Sequence, residues 1–175
     1  MIRIRVIRIC AMTALLAASA LTGSAAFAAA GNGAMAPVPT TCTVNDVEVT
    51  GTTIAGTDAV DDIECDNGVN LGTTVTGGGG TDLIDVDGNN AGTIDGGAGA
   101  DLIDVDGDNL ATGVIIGGSE GDIIDVDDNA GKILGGAGGD VIFTGANTGT
   151  VDGEADADVC LPDEGAGPTT CETVV

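Results

Sequence analysis

The sequence predicts an all-β fold: a parallel β-solenoid of about six coils of 18–21 residues, with a disulfide at each end. Three observations lead there. Units opening on glycine start at residues 56, 77, 96, 117, 135 and 153, a recurrence of 18–21 residues that marks a repeat architecture. Ile and Val return in phase with those starts. With 31 Gly, 2 Phe, no Tyr and no Trp in 175 residues, a core of bulky rings is excluded, whereas a thin aliphatic core needs none.

In chain order, residues 1–28 carry Arg3, Arg5 and Arg8, then an apolar run from Ala11 to Leu21, then Ala26-Phe27-Ala28. That is a charged region, a hydrophobic region and a small-residue cleavage site, the pattern of a Sec-type signal peptide. The run is too short and too rich in small residues to span a membrane well, so cleavage and export are expected. Residues 29–41 read as a flexible lead. Export makes the cysteines interpretable: Cys42, Cys65, Cys160 and Cys171 remain after Cys10 is removed, and an oxidising compartment favours disulfides. Three pairings are open, and clustering at the two ends favours Cys42–Cys65 and Cys160–Cys171. A zinc site competes poorly, with no CxxC and no His. The cysteines divide the rest into an N-terminal cap with a first degenerate coil (42–65), a repeat solenoid (66–159) and a C-terminal disulfide cap and tail (160–175).

Within the solenoid, Asp82-Leu83-Ile84-Asp85-Val86-Asp87 alternates as a strand with Ile84 and Val86 on one face and Asp85 and Asp87 on the other. Superposing the units gives three inward ladders. The first is Ile63, Ile84, Ile103, Ile124, Ile142 and Cys160. The second is Cys65, Val86, Val105, Val126 and Thr144. The third, from the strand before each glycine turn, is Ile54, Val75, Ile94, Ile115, Ile133 and Val151.

The same stacking aligns carboxylates. Glu64, Asp85, Asp104 and Asp125 form one outward ladder, and Asp66, Asp87, Asp106 and Asp127 the next; Asp61, Asp82, Asp101, Asp122, Asp140 and Asp158 repeat at the glycine turn. No acidic residue precedes Asp46, so past the N-terminus Lys132 alone opposes 28 carboxylates. Strands lie roughly 4.8 Å apart, and like charges at about 4 Å repel by on the order of 1 kcal/mol in water and more near a protein surface. Over three ladders this rivals the ~5–15 kcal/mol stability of a domain. Either the chain stays open or cations enter between the turns. Oxygen ligands without His select Ca²⁺, and glycine turns free carbonyls to point at an ion.

Gly77-Gly78-Gly79-Gly80-Thr81-Asp82, Gly96-Gly97-Ala98-Gly99-Ala100-Asp101 and Gly135-Gly136-Ala137-Gly138-Gly139-Asp140, each followed by x-U-x, match the nonapeptide G-G-x-G-x-D-x-U-x. The chain thus resembles the RTX, or haemolysin-type, calcium-binding repeat family. The resemblance implies a parallel β-roll whose turns hold Ca²⁺ between coils and whose coils order when calcium binds. By motif it assigns Asp82, Asp101 and Asp140 as carboxylate ligands, with Asp122 in the variant Gly117-Gly118-Ser119-Glu120-Gly121-Asp122. Carbonyls of turn residues would assist: Gly77, Gly79 and Thr81; Gly96, Ala98 and Ala100; Gly117, Ser119 and Gly121. The other edge departs from the family. There Asp85-Val86-Asp87-Gly88-Asn89-Asn90 and Asp104-Val105-Asp106-Gly107-Asp108-Asn109 replace a second nonapeptide, and Asp125 and Asp127 stand in the same places. These are either a second calcium edge or an Asx-rich turn. The Sec-type leader and the cysteines also set this chain apart from many RTX proteins.

Several function classes fall away. The acidic balance excludes a nucleic-acid binder and attachment to anionic lipid. Without His, and with carboxylates repeated identically in every coil rather than singled out, an enzyme is not expected. Thr53, Thr74, Thr93 and Thr150 share an outward ladder that Val114 and Lys132 interrupt, unlike a regular ice-binding face. The reading is a secreted calcium-binding repeat protein with a structural or adhesive extracellular role. The alternative is a self-association or protein-interaction module using an outward apolar stripe of Leu83, Leu102, Ile123 and Val141, with calcium only as a structural ion.

Overall fold

Period-two alternation makes each unit two short strands, and the glycine and Asx segments between them force the chain to reverse. The computed structural model describes residues 37–165 and 169–174; the leader 1–28 and residues 29–36 of the lead lie outside the described residues. The strands are β1 (Thr40–Val44), β2 (Val47–Gly51), β3 (Thr53–Ala55), β4 (Asp62–Cys65), β5 (Thr74–Gly79), β6 (Leu83–Val86), β7 (Thr93–Ala98), β8 (Leu102–Val105), β9 (Val114–Ser119), β10 (Ile123–Val126), β11 (Lys132–Ala137), β12 (Val141–Asn147), β13 (Thr150–Ala155), β14 (Val159–Gly165), β15 (Thr169–Thr170) and β16 (Thr173–Val174). Odd strands from β3 to β15 form one sheet; even strands from β4 to β16 form the other, which β1 and β2 extend. Successive members of each series pair in parallel, so the chain alternates between two sheets and advances one strand per coil. This is a parallel β-solenoid of about six coils, as the repeat predicts.

Register and ladder agree residue by residue. Ile63, Ile84, Ile103, Ile124, Ile142 and Cys160 are successive partners, as are Cys65, Val86, Val105, Val126 and Thr144. Ile54, Val75, Ile94, Ile115, Ile133 and Val151 stack in the facing sheet. All are buried. Full burial of each Ile or Val is worth roughly 1.5–3 kcal/mol, which explains how a fold without interior rings holds. Thr144 is the exception: its Oγ1 is buried with no partner. Unmade hydrogen bonds of this kind cost about 1–3 kcal/mol. Thr144→Val is therefore expected to stabilise the protein by about 1–2 kcal/mol, read as a higher thermal midpoint in calcium-containing buffer; an unchanged or lower midpoint contradicts the assignment.

Both ends carry the expected disulfides, Cys42–Cys65 and Cys160–Cys171. At the first, β1 runs antiparallel to both β2 and β4 and lays a hairpin over the opening coil. Its turn residues Asn45 and Asp46 have φ of 51° and 65°, the left-handed pair that a two-residue hairpin requires. The hairpin begins at Thr40, two residues ahead of the cap boundary read from the sequence. At the other end β15 and β16 continue both sheets into part of a further coil.

The edge between each even strand and the next odd one is held by asparagine. Asn90, Asn109, Asn129 and Asn147 are buried and bridge in parallel from coil to coil. Each Nδ2 donates to the Oδ1 of the next, at 2.8–2.9 Å, and Asn147 Nδ2 donates to Thr169 Oγ1 at 3.3 Å. Amides carry both donor and acceptor, so the ladder satisfies itself without any charge.

Candidate metal-binding edge

The opposite edge, where odd strands leave through the glycine turn, is built from carboxylates. Asp61, Asp82, Asp101, Asp122, Asp140 and Asp158 are only 0–3% exposed. From Asp82 onward, Oδ1 accepts the backbone N–H of the aspartate one coil earlier at 2.8–2.9 Å. The other oxygen has no such role: Oδ2 of Asp82, Asp101, Asp122, Asp140 and Asp158 is buried with no hydrogen-bond partner. Asp61 differs, because its Oδ2 accepts Thr57 N–H at 2.6 Å and Thr57 Oγ1–H at 2.9 Å, and its Oδ1 accepts Asn45 Nδ2–H at 2.5 Å.

Glycine makes room for these carboxylates. A Cβ on Gly96 would sit 2.6 Å from Asp101 Oδ2 and 2.5 Å from the Gly117 carbonyl oxygen. Gly77, Gly117 and Gly135 stand in the same relation to Asp82, Asp122 and Asp140. The carboxylate thus folds beneath the turn, beside a carbonyl of the following coil. The second and fourth motif positions have positive φ, as at Gly97 (107°) and Gly99 (123°). Glu120 fills a fourth position and still adopts φ 76°, a conformation that disfavours side-chain-bearing residues by about 1 kcal/mol. Its carboxylate also adds to the repulsion on Asp101 and Asp122. Glu120→Gly is accordingly expected to stabilise the protein by about 1–2 kcal/mol, read as a raised denaturation midpoint; a lowered one means that the Glu120 carboxylate is itself a needed ligand.

Burial is the leading cause that pushes the carboxyls of Asp82, Asp101, Asp140 and Asp158 above their ordinary range. Asp122 rises to about 7, through burial first and then the neighbouring Asp140, Asp101 and Glu120, against the lowering effect of the Asp101 N–H. Asp61 alone in the ladder is lowered, chiefly by the Thr57 N–H. On the outer face of the even sheet, Glu64, Asp85, Asp104 and Asp125 are direct neighbours in register, and Asp104 is raised to about 6 by burial and then by Asp125, Asp106, Asp85 and Asp127.

The residues singled out in the sequence therefore fall into three places. Asp82, Asp101, Asp122 and Asp140 are buried at the glycine edge, which they share with Gly77, Gly79, Gly96 and Gly117 and with the exposed turn residues Thr81, Ala98, Ala100, Ser119 and Gly121. Asp85, Asp104 and Asp125 face outward from β6, β8 and β10. Asp87, Asp106 and Asp127 follow those strands, toward the asparagine edge. Among the described residues, no three or more Cys, Asp or Glu side chains are grouped as a metal site. An ion at the glycine edge would thus draw on carboxylates of successive coils and otherwise on carbonyls. The asparagine ladder and the ladder's last carboxylate, Glu172, whose Oε2 accepts Asp158 N–H at 2.9 Å, escape a reading centred on Asp. The 18–20-residue recurrence of Asn carries a signal for the first; nothing periodic announces the second.

No protein-family model, curated protein or solved structure gives a significant match to the chain. No helix among the described residues is long and apolar enough to cross a membrane.

Proposed function

We propose that this is a secreted calcium-binding repeat protein, of the RTX type its GGxGxD turns resemble, with a structural or adhesive role outside the cell and no catalytic one. One observation carries the reading. Five buried Oδ2 atoms on a single edge have no partner, whereas the asparagine edge is satisfied from within. Buried anionic oxygens without partners are expensive, and a cation removes the penalty along the whole ladder. Asp82, Asp101, Asp122 and Asp140, with carbonyls of the turn residues beside them, offer the all-oxygen set that suits Ca²⁺. When bound, the ion supplies positive charge between coils; the chain's own residues space the carboxylates and keep water from them. Disulfides accord with an oxidising exterior.

Binding in the extracellular range of about 10⁻⁴–10⁻³ M is expected. Circular dichroism of the chain without its leader, titrated at pH 7.5 from EDTA to ~10 mM Ca²⁺, should gain β-sheet signal; an unchanged spectrum refutes coupling of folding to calcium. A second reading, a self-association face, is favoured by the outward stripe on the even sheet, where Leu102 and Ile123 are 40% and 45% exposed and Phe143 is 38% exposed. Sedimentation equilibrium in calcium distinguishes the two: a monomer excludes the second.

A further inference from the structure

The carboxylate ladder ends differently at its two extremities. At the N-terminal end Asn45 and Thr57 occupy both oxygens of Asp61, and nothing there asks for a cation. At the C-terminal end the last turn reads Gly153-Glu154-Ala155-Asp156-Ala157-Asp158, in which Glu154 and Asp156 have positive φ, 70° and 82°, at positions filled in the earlier turns by positive-φ glycines or, once, by Glu120. The backbone path of the turn survives although the motif does not. Asp158 is 1% exposed, its Oδ2 has no partner, and that oxygen is turned in over Gly153.

The group set on Asp158 from beyond is not a seventh repeat aspartate. It is Glu172, whose Oε2 takes the Asp158 N–H at 2.9 Å across a sequence separation of 14. In every earlier coil the same N–H goes to an aspartate 18–21 residues on. Glu172 thus stands in for the missing repeat, and after burial, the leading cause, its charge and a side-chain hydrogen bond with it also raise the Asp158 pKa. The neighbouring Cys171 is bonded to Cys160, two residues past Asp158, so one covalent link fixes both carboxylates relative to each other. Asp158, buried with an orphaned oxygen, and the exposed Glu172 on its N–H are thus held at one end of the ladder, where like charges repel.

We infer that Asp158 and Glu172 form a further site for a hard divalent cation, one that terminates the ladder and assembles only when the Cys160–Cys171 disulfide is closed. It rests on the calcium reading above but uses residues outside the GGxGxD turns. The cation joins the last coil to the C-terminal segment, which also closes the asparagine ladder through Thr169.

The test is calcium counted by equilibrium dialysis against the disulfide-bonded chain, with circular dichroism as the folding control. Glu172→Gln should bind one ion fewer, or hold its last ion at least about tenfold more weakly, with the other ions and the β signal retained. The Cys160→Ser/Cys171→Ser double variant should lose the same ion, and adding Glu172→Gln to it should remove no more. Glu172→Asp should recover part of the binding, and Glu48→Gln, on the distant hairpin, none should be lost. A Glu172→Gln chain that matches the wild type in number and affinity of ions overturns this site alone; a wild type that binds no calcium overturns the calcium reading and this site with it.

Discussion

In calcium-free solution the chain should gain β-sheet signal and a higher melting midpoint as the pH is lowered from about 7 toward 4, and millimolar calcium should reverse the slope. The sign follows from the aspartate pKa values. Asp122 is raised from its ordinary 3.8 to about 7, so between those values the folded chain holds a proton that the unfolded chain has lost. Stability then falls as the pH rises through this window. Asp82, Asp101, Asp140 and Asp158 act in the same direction. Asp61 and Glu172, whose pKa values are lowered, act oppositely: their contribution is present above the unfolded values and is lost as the pH drops through the folded ones. The calcium-free optimum therefore lies near the ordinary carboxylate range. Calcium binds the ionised form and competes with protons, so with the ion present stability rises with pH. Asp122→Asn separates the effects: without calcium at pH 7.5 it should melt higher than the wild type, and with calcium lower. Thermal melts across pH 4–8 in EDTA and in calcium decide it, and a calcium-free midpoint that climbs with pH defeats the argument.

The aliphatic ladders are legible in the sequence because two periods superpose on few residue types. Alternation within Asp82–Asp87 picks out Ile84 and Val86, and the coil period then places Ile63, Ile103 and Ile124 in one ladder with Ile84, as the register has it. The disulfide pairing is legible from clustering alone. The inward fold of the edge aspartates is not. An aspartate at a turn is ordinarily solvated, and only the missing Cβ of Gly77 or Gly96 lets the carboxylate pass beneath the backbone, a three-dimensional fact no spacing encodes. The N-terminal hairpin is legible only locally, since Asn45-Asp46 is a turn signal between alternating strands, but its antiparallel return onto β4 breaks the repeat that organises everything else. Glu172 is hidden for the same reason: it reaches its place through a disulfide rather than through the period.

A single methyl at Gly99 should undo the middle of the solenoid. Gly99 has φ 123°, and a Cβ built there runs into the Gly80 carbonyl oxygen; at Gly97, φ 107°, the Cβ meets the Gly78 carbonyl oxygen. Both obstacles are backbone atoms of a paired coil, which cannot swing aside as a side chain would. Left-handed backbone costs a side-chain-bearing residue roughly 1–2 kcal/mol, and overpacking adds roughly 1–3 kcal/mol. The sum is a large part of a small domain's stability. Because each coil of a repeat array contacts only its neighbours, the clash at Gly99 strikes the turns that directly follow the paired strands β5 and β7. Gly99→Ala should therefore fail to reach the wild-type β spectrum even at ~10 mM Ca²⁺, while Ala100→Ser and Ala98→Ser, at exposed turn positions one residue away, should stay within about 0.5 kcal/mol of the wild type. Glu120 tests the same logic from the other side. A side chain already occupies the equivalent fourth position in the next turn, and the fold accommodates it. Glu120 holds φ 76° where Gly99 holds 123°, so the contact with the Gly80 carbonyl stands only while Gly99 keeps its own φ, and Gly99→Ala melting within about 1 kcal/mol of the wild type would mean that its turn shifts as that of Glu120 does.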